Sequence, residues 1–299
     1  MTGELPLDQV RTLLAVVDEG TFDAAAAALH VTPSAVSQRV KALEQRTGRV
    51  LLLRTKPVRP TESGQVLVRL ARQVARLERD AQAELGMSGA GESTRVSVAV
   101  NADSLATWFL DALTRVPPAL RLCFELHRED EDHTAALLRE GRVMAAVTSS
   151  AVPVPGCSVR ALGRMRYLPV AAPEFAARQV RGELREALAE APVVVFDRRD
   201  DFQDGFVRGL WEGRRGASER RHHVPTSEGF AAAVAAGLGW GMVPEPQAVP
   251  LLRAGRLVEL APDRPVDVTL HWQQWKLDSP ALAAVADAVA ATAAGALRG

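Results

Sequence analysis

The chain has 299 residues, with 36 basic and 36 acidic side chains and 47% hydrophobic residues. That length suits two or three domains of ~100–200 residues each, and the apolar share excludes general disorder. Two cysteines, Cys123 and Cys157, are too few for a disulfide framework and fit a reducing compartment.

The N-terminus, MTGELPLDQVRTLLAVVDEG, carries no basic leader before an apolar run, so no signal peptide is visible. The longest uncharged, mostly apolar run, 229–244, is broken by glycines and falls short of the ~20 residues that span a bilayer. A soluble, cytoplasmic protein with no membrane contact is expected. Residues 5–20 form the first predicted helix: Val10, Leu13, Leu14 and Val17 recur at three- and four-residue spacing, and Gly20 ends it.

Residues 21–48, TFDAAAAALHVTPSAVSQRVKALEQRTG, read as two short helices joined by a tight turn. The alanines of the first permit close approach of another helix. The second opens with Thr32 as N-cap and Pro33 at N1, where the missing N–H costs nothing. Val36, Val40 and Leu43 give it a buried face. Ser34, Ser37, Gln38 and Lys41 give it an outer face of hydroxyls, an amide and a cation, groups that hydrogen-bond base edges and phosphates in a major groove. A helix-turn-helix is the natural hypothesis. From residue 39 to 59, seven basic residues stand against one acid, Glu44, in a chain that is neutral as a whole. Positive charge beside a candidate recognition helix is the footprint expected for phosphate contact. RTKPVRPT (54–61) reads as a basic, proline-stiffened wing, with Arg54 and Arg59 placed to follow the backbone of double-stranded DNA.

Residues 62–85 form one long predicted helix. Val66, Leu70, Val74, Leu77, Ala81 and Leu85 make a single apolar stripe that needs a partner. Packing on its own domain would cover it, but no segment of the small N-terminal unit remains free to do so, and contact with a second copy of the chain is expected. The linker GMSGAGEST (86–94) is flexible by composition. Beyond it, strand-like runs at 95–101, 120–126, 143–149, 167–172, 192–196, 240–243 and 266–272 alternate with helical patterns at 103–116, 133–140, 183–189, 201–211, 227–236 and 279–297. That alternation predicts an α/β domain with largely parallel sheets.

The order winged helix, long helix, linker and α/β domain, with AAAAALHVTPSAVSQRVKALEQRTG and LLLRTKPVRPTESG, resembles the LysR-type transcriptional regulators. VNADSLATWFLDAL (100–113), APVVVFDRRDD (191–201) and SEGFAAAVAAGLGWGMVPE (227–245) are similar to the arginine- and lysine-responsive branch, the ArgP and LysG type. The resemblance implies a homodimer or tetramer and no cofactor beyond a small-molecule effector. It places a winged helix-turn-helix at 1–61, a linker and dimerisation helix with hinge at 62–91, and an effector-binding domain at 92–299. That domain would resemble periplasmic binding proteins, with one subdomain formed by 92–161 plus 268–299 and the other by 162–267. Positions matching the family's DNA contacts are Pro33, Ser34, Ser37 and Gln38, with wing contacts near Arg54 and Arg59. Gln38 stands where family helices often carry arginine. RNA polymerase is a further partner of such regulators, and an amino-acid exporter gene a natural target.

An amino-acid effector needs hydroxyls or helix N–H groups for its carboxylate, and Ser104 and Thr148 lie near the carboxyl ends of predicted strands, where such folds bind ligands. Its cationic groups need carboxylates: Asp103, Asp197 and Glu228, with Ser227 beside the last. Asp103, Ser104, Ser227 and Glu228 also suit helix capping, worth ~0.5–2 kcal/mol. Glu129 and Asp130 read as a solvated acidic loop. Enzyme signatures are missing: no Gly-x-Gly-x-x-Gly after a strand, no P-loop, no His-Glu-x-x-His and no Gly-x-Ser-x-Gly. No metal site is expected, because the adjacent His222 and His223 would point to opposite faces of a strand. The residues leave open a regulator that answers another metabolite, or an architectural DNA binder without an effector.

Overall fold

The computed structural model describes residues 4–87, 93–128, 131–210 and 216–299, the side chains of 131–133 excepted. Glu129, Asp130, Trp211 and part of the 86–94 linker lie outside the described residues. The chain opens with helix α1 (Leu7–Glu19), which ends at Gly20 in the left-handed conformation. Helix α2 (Phe22–Ala28) is capped by the Thr21 hydroxyl, which accepts the Ala24 N–H at 3.1 Å. Helix α3 (Pro33–Thr47) is capped by Thr32, which accepts the Ala35 N–H at 3.2 Å. Ala25 and Ala26 are buried in one core with Val10, Leu13, Val16, Val36, Val40 and Leu43. Val16 takes the central place expected of Val17, while Leu14 and Val17 pack at the rim. All of these positions fall within one apolar arc of α1, and the crossing of α2 and α3 decides which sit deepest.

A two-stranded hairpin follows, β1 (Leu52–Leu53) antiparallel to β2 (Arg59–Pro60). Thr61 then caps helix α4 (Glu62–Glu84) on the Gly64 N–H and donates its hydroxyl to the Val50 carbonyl at 2.7 Å. Gly64 is required there, because a Cβ would lie 2.0 Å from the Leu51 carbonyl oxygen.

Helix α4 departs from the single stripe read in the sequence. It buries Leu67, Val68 and Ala71 in the N-terminal core, a face rotated from that stripe. Leu70 and Val74 are half-buried, and Val66, Leu77 and Leu85 stay 54%, 41% and 73% exposed. The helix therefore has two apolar faces, one used within the chain. Arg76, 2% exposed, pins the helix to the following domain: it pairs with Asp80 and donates to the Arg95 carbonyl and the Ser279 hydroxyl.

The α/β domain is built on a sheet of order β10-β6-β11-β5-β3-β4, with β9 also paired to β6. β3 (Thr94–Val100) is parallel to β4 (Leu122–Arg128) and to β5 (Ala145–Thr148). The long strands β6 (Cys157–Ala171) and β11 (Val266–Trp275) pair antiparallel, and β9 (Gly241–Pro244) and β10 (Val258–Glu259) add to β6 antiparallel. β7 (Val193–Val195) and β8 (Arg221–His223) form a separate parallel pair. The expectation of largely parallel sheets is thus corrected to a mixed sheet. In the first half of β6, CSVRALGRMR, half of the residues are exposed and three are arginines, so it lacks the apolar run that marks a buried strand, and the sequence shows only its end, 167–172.

Connecting β3 to β4 is a helical stretch: α5 (Ala102–Ser104), a π turn at Leu105–Phe109, and α6 (Leu110–Thr114). The other helices are α7 (Glu131–Glu140), α8 (Pro173–Gln179), α9 (Leu184–Glu190), α10 (Phe202–Gly209), α11 (Ser227–Ala235), α12 (Glu245–Arg253) and α13 (Pro280–Ala296). α8 and α12 go beyond the sequence reading. β6 and β11 are locked by Arg166 and Asp267, register partners whose side chains form a two-pronged ion pair at 2.8 and 2.9 Å. The guanidinium holds the Asp267 carboxyl below its ordinary value of 3.8. No helix among the described residues is long and apolar enough to cross a membrane.

Candidate functional sites: an exposed helix face and an acidic cleft

Helix α3 separates its two faces cleanly. Val36, Val40 and Leu43 are buried, whereas Thr32, Pro33, Ser34, Ser37, Gln38 and Lys41 are all exposed. Arg54 and Arg59, on the hairpin, are exposed as well. The single acid of the basic window is taken up internally: Glu44 Oε1 accepts the Leu51 N–H at 2.9 Å and ties the end of α3 to the hairpin. A short helix with hydroxyl, amide and ammonium groups on its outer face, flanked by a cationic hairpin, can enter a major groove while the hairpin meets phosphates.

The second site is a cavity of about 500 Å³ at the carboxyl end of β3. Asn101, Asp103, Tyr167, Phe196, Asp197 and Asp200 are among the residues that line it. Asp103 is central. Its Oδ2 accepts the Tyr167 hydroxyl at 2.7 Å, from β6, and its Oδ1 accepts the Ser227 hydroxyl at 2.6 Å, from the start of α11. Ser227 is free for that bond because Thr226, not Ser227, caps α11 by accepting the Gly229 N–H. Burial raises the Asp103 pKa above its ordinary 3.8; the bonds from Ser227 and Tyr167 oppose this only in part, and Glu228 adds to it.

The loop FDRRDD (196–201) supplies the opposite wall. Asp197 Oδ1 accepts the Arg199 and Asp200 N–H groups at 2.6 and 3.1 Å. Asp200 accepts the N–H groups of Phe196 and Phe202 at 2.7 and 3.0 Å, and burial raises its pKa too. A half-buried pocket with several carboxylates and an aromatic wall is chemically suited to an organic cation. Among the described residues, no group of three or more His, Cys, Asp or Glu side chains could hold a metal ion.

The pattern of the bacterial regulatory helix-turn-helix proteins of the lysR family matches residues 7–65, and that of the LysR substrate binding domain matches residues 89–294. The chain belongs to the LysR family of transcriptional regulators. It is similar to the HTH-type transcriptional regulator LysG of Mycobacterium tuberculosis, at 50% identity over 97% of this chain and 94% of that one. It is 45% identical to the lysine export transcriptional regulatory protein LysG of Corynebacterium glutamicum, over 97% of this chain and 98% of the relative. Among solved structures it resembles full-length LysG of Corynebacterium glutamicum with the effector Arg bound, with a TM-score of 0.87 at 43% identity, covering 98% of this chain and all of that one.

In this LysR-family chain the sequence-predicted cleft residues fall into two groups. Asp103 and Asp197 line the cavity, and Ser227 is bonded to Asp103. Ser104 is fully buried with its hydroxyl unpartnered. Glu228 is exposed in the first turn of α11. Thr148 is buried and accepts the Ser150 N–H at 3.1 Å, within a turn after β5. The residues that sequence reasoning missed are Tyr167, Phe196, Asp200 and Arg128, which crosses to Pro225 and Phe196. Tyr167 carried one available signal: it is the only tyrosine of the chain, set in an apolar strand, and a buried phenol seeks a hydrogen-bond partner. A second cavity, of about 400 Å³, lies where α1 and α4 meet the α/β domain. Its walls carry Arg72, Arg79, Arg95 and Arg142 against Asp18 and Glu125. Charge therefore directs a cationic ligand to the Asp103 cleft and not to the arginine-rich one.

Proposed function

We propose that this LysR-family regulator answers to lysine or arginine, held in the Asp103 cleft, and controls a gene for amino-acid export. The observation that carries the reading is Asp103, a half-buried carboxylate just beyond the carboxyl end of β3 with neutral hydroxyls as its side-chain partners. An ammonium or guanidinium is the partner such a group lacks. A relative supports the choice: LysG of Corynebacterium glutamicum is named for lysine export, and full-length LysG of that organism was solved with Arg as effector. Asp197 and Ser227 complete the cationic end of the site, with Ser104 deeper in the wall. DNA is read by Thr32, Pro33, Ser34, Ser37, Gln38 and Lys41, with Arg54 and Arg59 on phosphates. Two copies join along the exposed face of α4, through Val66, Leu77 and Leu85, and present paired recognition helices to a two-fold site in the cytoplasm, with RNA polymerase as a further partner.

The test is fluorescence anisotropy on a labelled fragment of the promoter region beside the protein's own gene. Specific binding is expected at physiological salt. Lysine or arginine should change the affinity or the bend of the complex, and leucine and glutamate should not. In Ser37→Ala plus Gln38→Ala, preference over random DNA should fall by more than about tenfold, the loss of one good base contact. Unchanged preference would remove α3 as the reader, and indifference to both basic amino acids would remove the effector assignment.

A further inference from the structure

We infer that Arg128 reads the α-carboxylate of the effector, so that the cleft accepts a basic amino acid and rejects the corresponding amine. The inference rests on the assignment of a basic amino acid to the Asp103 cleft. Arg128 is the last residue of β4, and its register partner is Val100, the last residue of β3. The loop that leaves Val100 leads into Asp103. The two side chains therefore start from the carboxyl ends of adjacent parallel strands, the edge at which α/β sheets hold ligands.

From there they reach the same opposing segment. Asp103 takes the Ser227 hydroxyl, and Arg128 Nη1 donates to the carbonyl of Pro225, two residues earlier. The Arg128 guanidinium also lies 5.7 Å from the centroid of the Phe196 ring, and Phe196 lines the cavity. Asp103 lines the cavity, and Arg128 stands behind its Phe196 wall, each bridging to the 225–227 stretch.

The partners of Arg128 mark it as uncommitted. A carbonyl and a ring hold it in place, and among the described residues no carboxylate pairs with it. A guanidinium offers five N–H donors in a flat fork that fits a carboxylate two-pronged. The cavity itself is acidic, with Asp103, Asp197, Asp200 and Asp201. A ligand carboxylate placed among these four would be repelled unless a cation meets it. Arg128 is that cation: it exchanges Pro225 for the ligand carboxylate as the amino acid binds, while Asp103 takes the positive group. Arg199 also lines the cavity and serves as the comparison.

The test is calorimetric titration of the full chain with arginine and with agmatine, which is arginine without its carboxylate; lysine and cadaverine form the matching pair. Wild type should prefer each amino acid by at least about tenfold, the loss expected when a charge-assisted hydrogen bond is not made. Arg128→Gln should bind agmatine as wild type does and arginine no better than agmatine. Its unchanged agmatine binding shows that the variant is folded. Arg128→Lys, which keeps the charge and loses the fork, should retain part of the preference, and Arg199→Gln should retain all of it. On wild type, arginine methyl ester should bind as weakly as agmatine. A wild-type preference that survives in Arg128→Gln, or one that collapses in Arg199→Gln, overturns the inference. Wild type that binds arginine and agmatine equally also overturns it, whereas wild type that binds none of the four removes the cleft assignment itself.

Discussion

Asp103 shows how a single residue can couple ligand, proton and cleft. It is half-buried, its two oxygens are met by Tyr167 and Ser227, and partial desolvation raises its pKa above the ordinary 3.8. Burial disfavours the charged form, so ionising Asp103 in the free protein costs stability. Because the folded value is raised, that stability is fully present below 3.8 and is lost as pH rises through the folded value. A cationic effector reverses the sign, since it binds the ionised form. Affinity for lysine and arginine should therefore climb as pH rises toward the raised value of the free protein, with release of protons, and level off above it. Calorimetry in buffers of different ionisation enthalpy measures that proton count. Asp103→Asn should bind at least about tenfold more weakly, as loss of a charged hydrogen-bond partner implies, with fewer protons released than in wild type. A wild-type titration without pH dependence would show that Asp103 does not meet the cation.

At the scale of elements, the informative parts are α3, the hairpin and α4. The start of α3 was legible because its causes are local: a threonine cap, a proline at N1 and a 3.6-residue apolar repeat all sit within a dozen residues. The two faces of α4 were not. The residues it buries, Leu67, Val68 and Ala71, are chosen by where α1 and the hairpin lie, which no short window reports. The same holds for the cleft. Asp103 and Tyr167 are 64 residues apart, and the Ser227 bond spans 124, so the acids were visible as types while their hydroxyl partners were not. Strand β6 escaped for a related reason, since its first half lies on the exposed side of the sheet and reads as loop.

Two outcomes follow at this scale. Gly64→Ala places a methyl against the Leu51 carbonyl; overpacking of this kind costs about 1–3 kcal/mol, and thermal melting should register it together with weakened DNA binding as the hairpin shifts. Unchanged melting would mean that the start of α4 adapts freely. Leu77→Glu with Leu85→Glu puts charges on the exposed face of α4, and if two copies join there as proposed, sedimentation should find a dimer in wild type and monomer in the variant. Persistence of the dimer would move the contact elsewhere.

At the scale of the whole molecule, α4 is the element that joins the N-terminal unit to the α/β domain. Arg72 pairs with Asp18 on α1 and donates to the Glu140 carbonyl at the end of α7, while Arg76 is buried against Arg95 and Ser279. β3 runs from Arg95 near its start, whose carbonyl accepts from Arg76 on α4, to Val100, three residues before Asp103.

The most direct measurement of the central claim is titration of arginine and lysine into wild type and Asp103→Ala in a calorimeter. Wild type should show saturable binding at one site per chain and none with leucine, and the variant should lose at least about tenfold in affinity. Equal affinity in wild type and variant, or no heat with either basic amino acid, would contradict it.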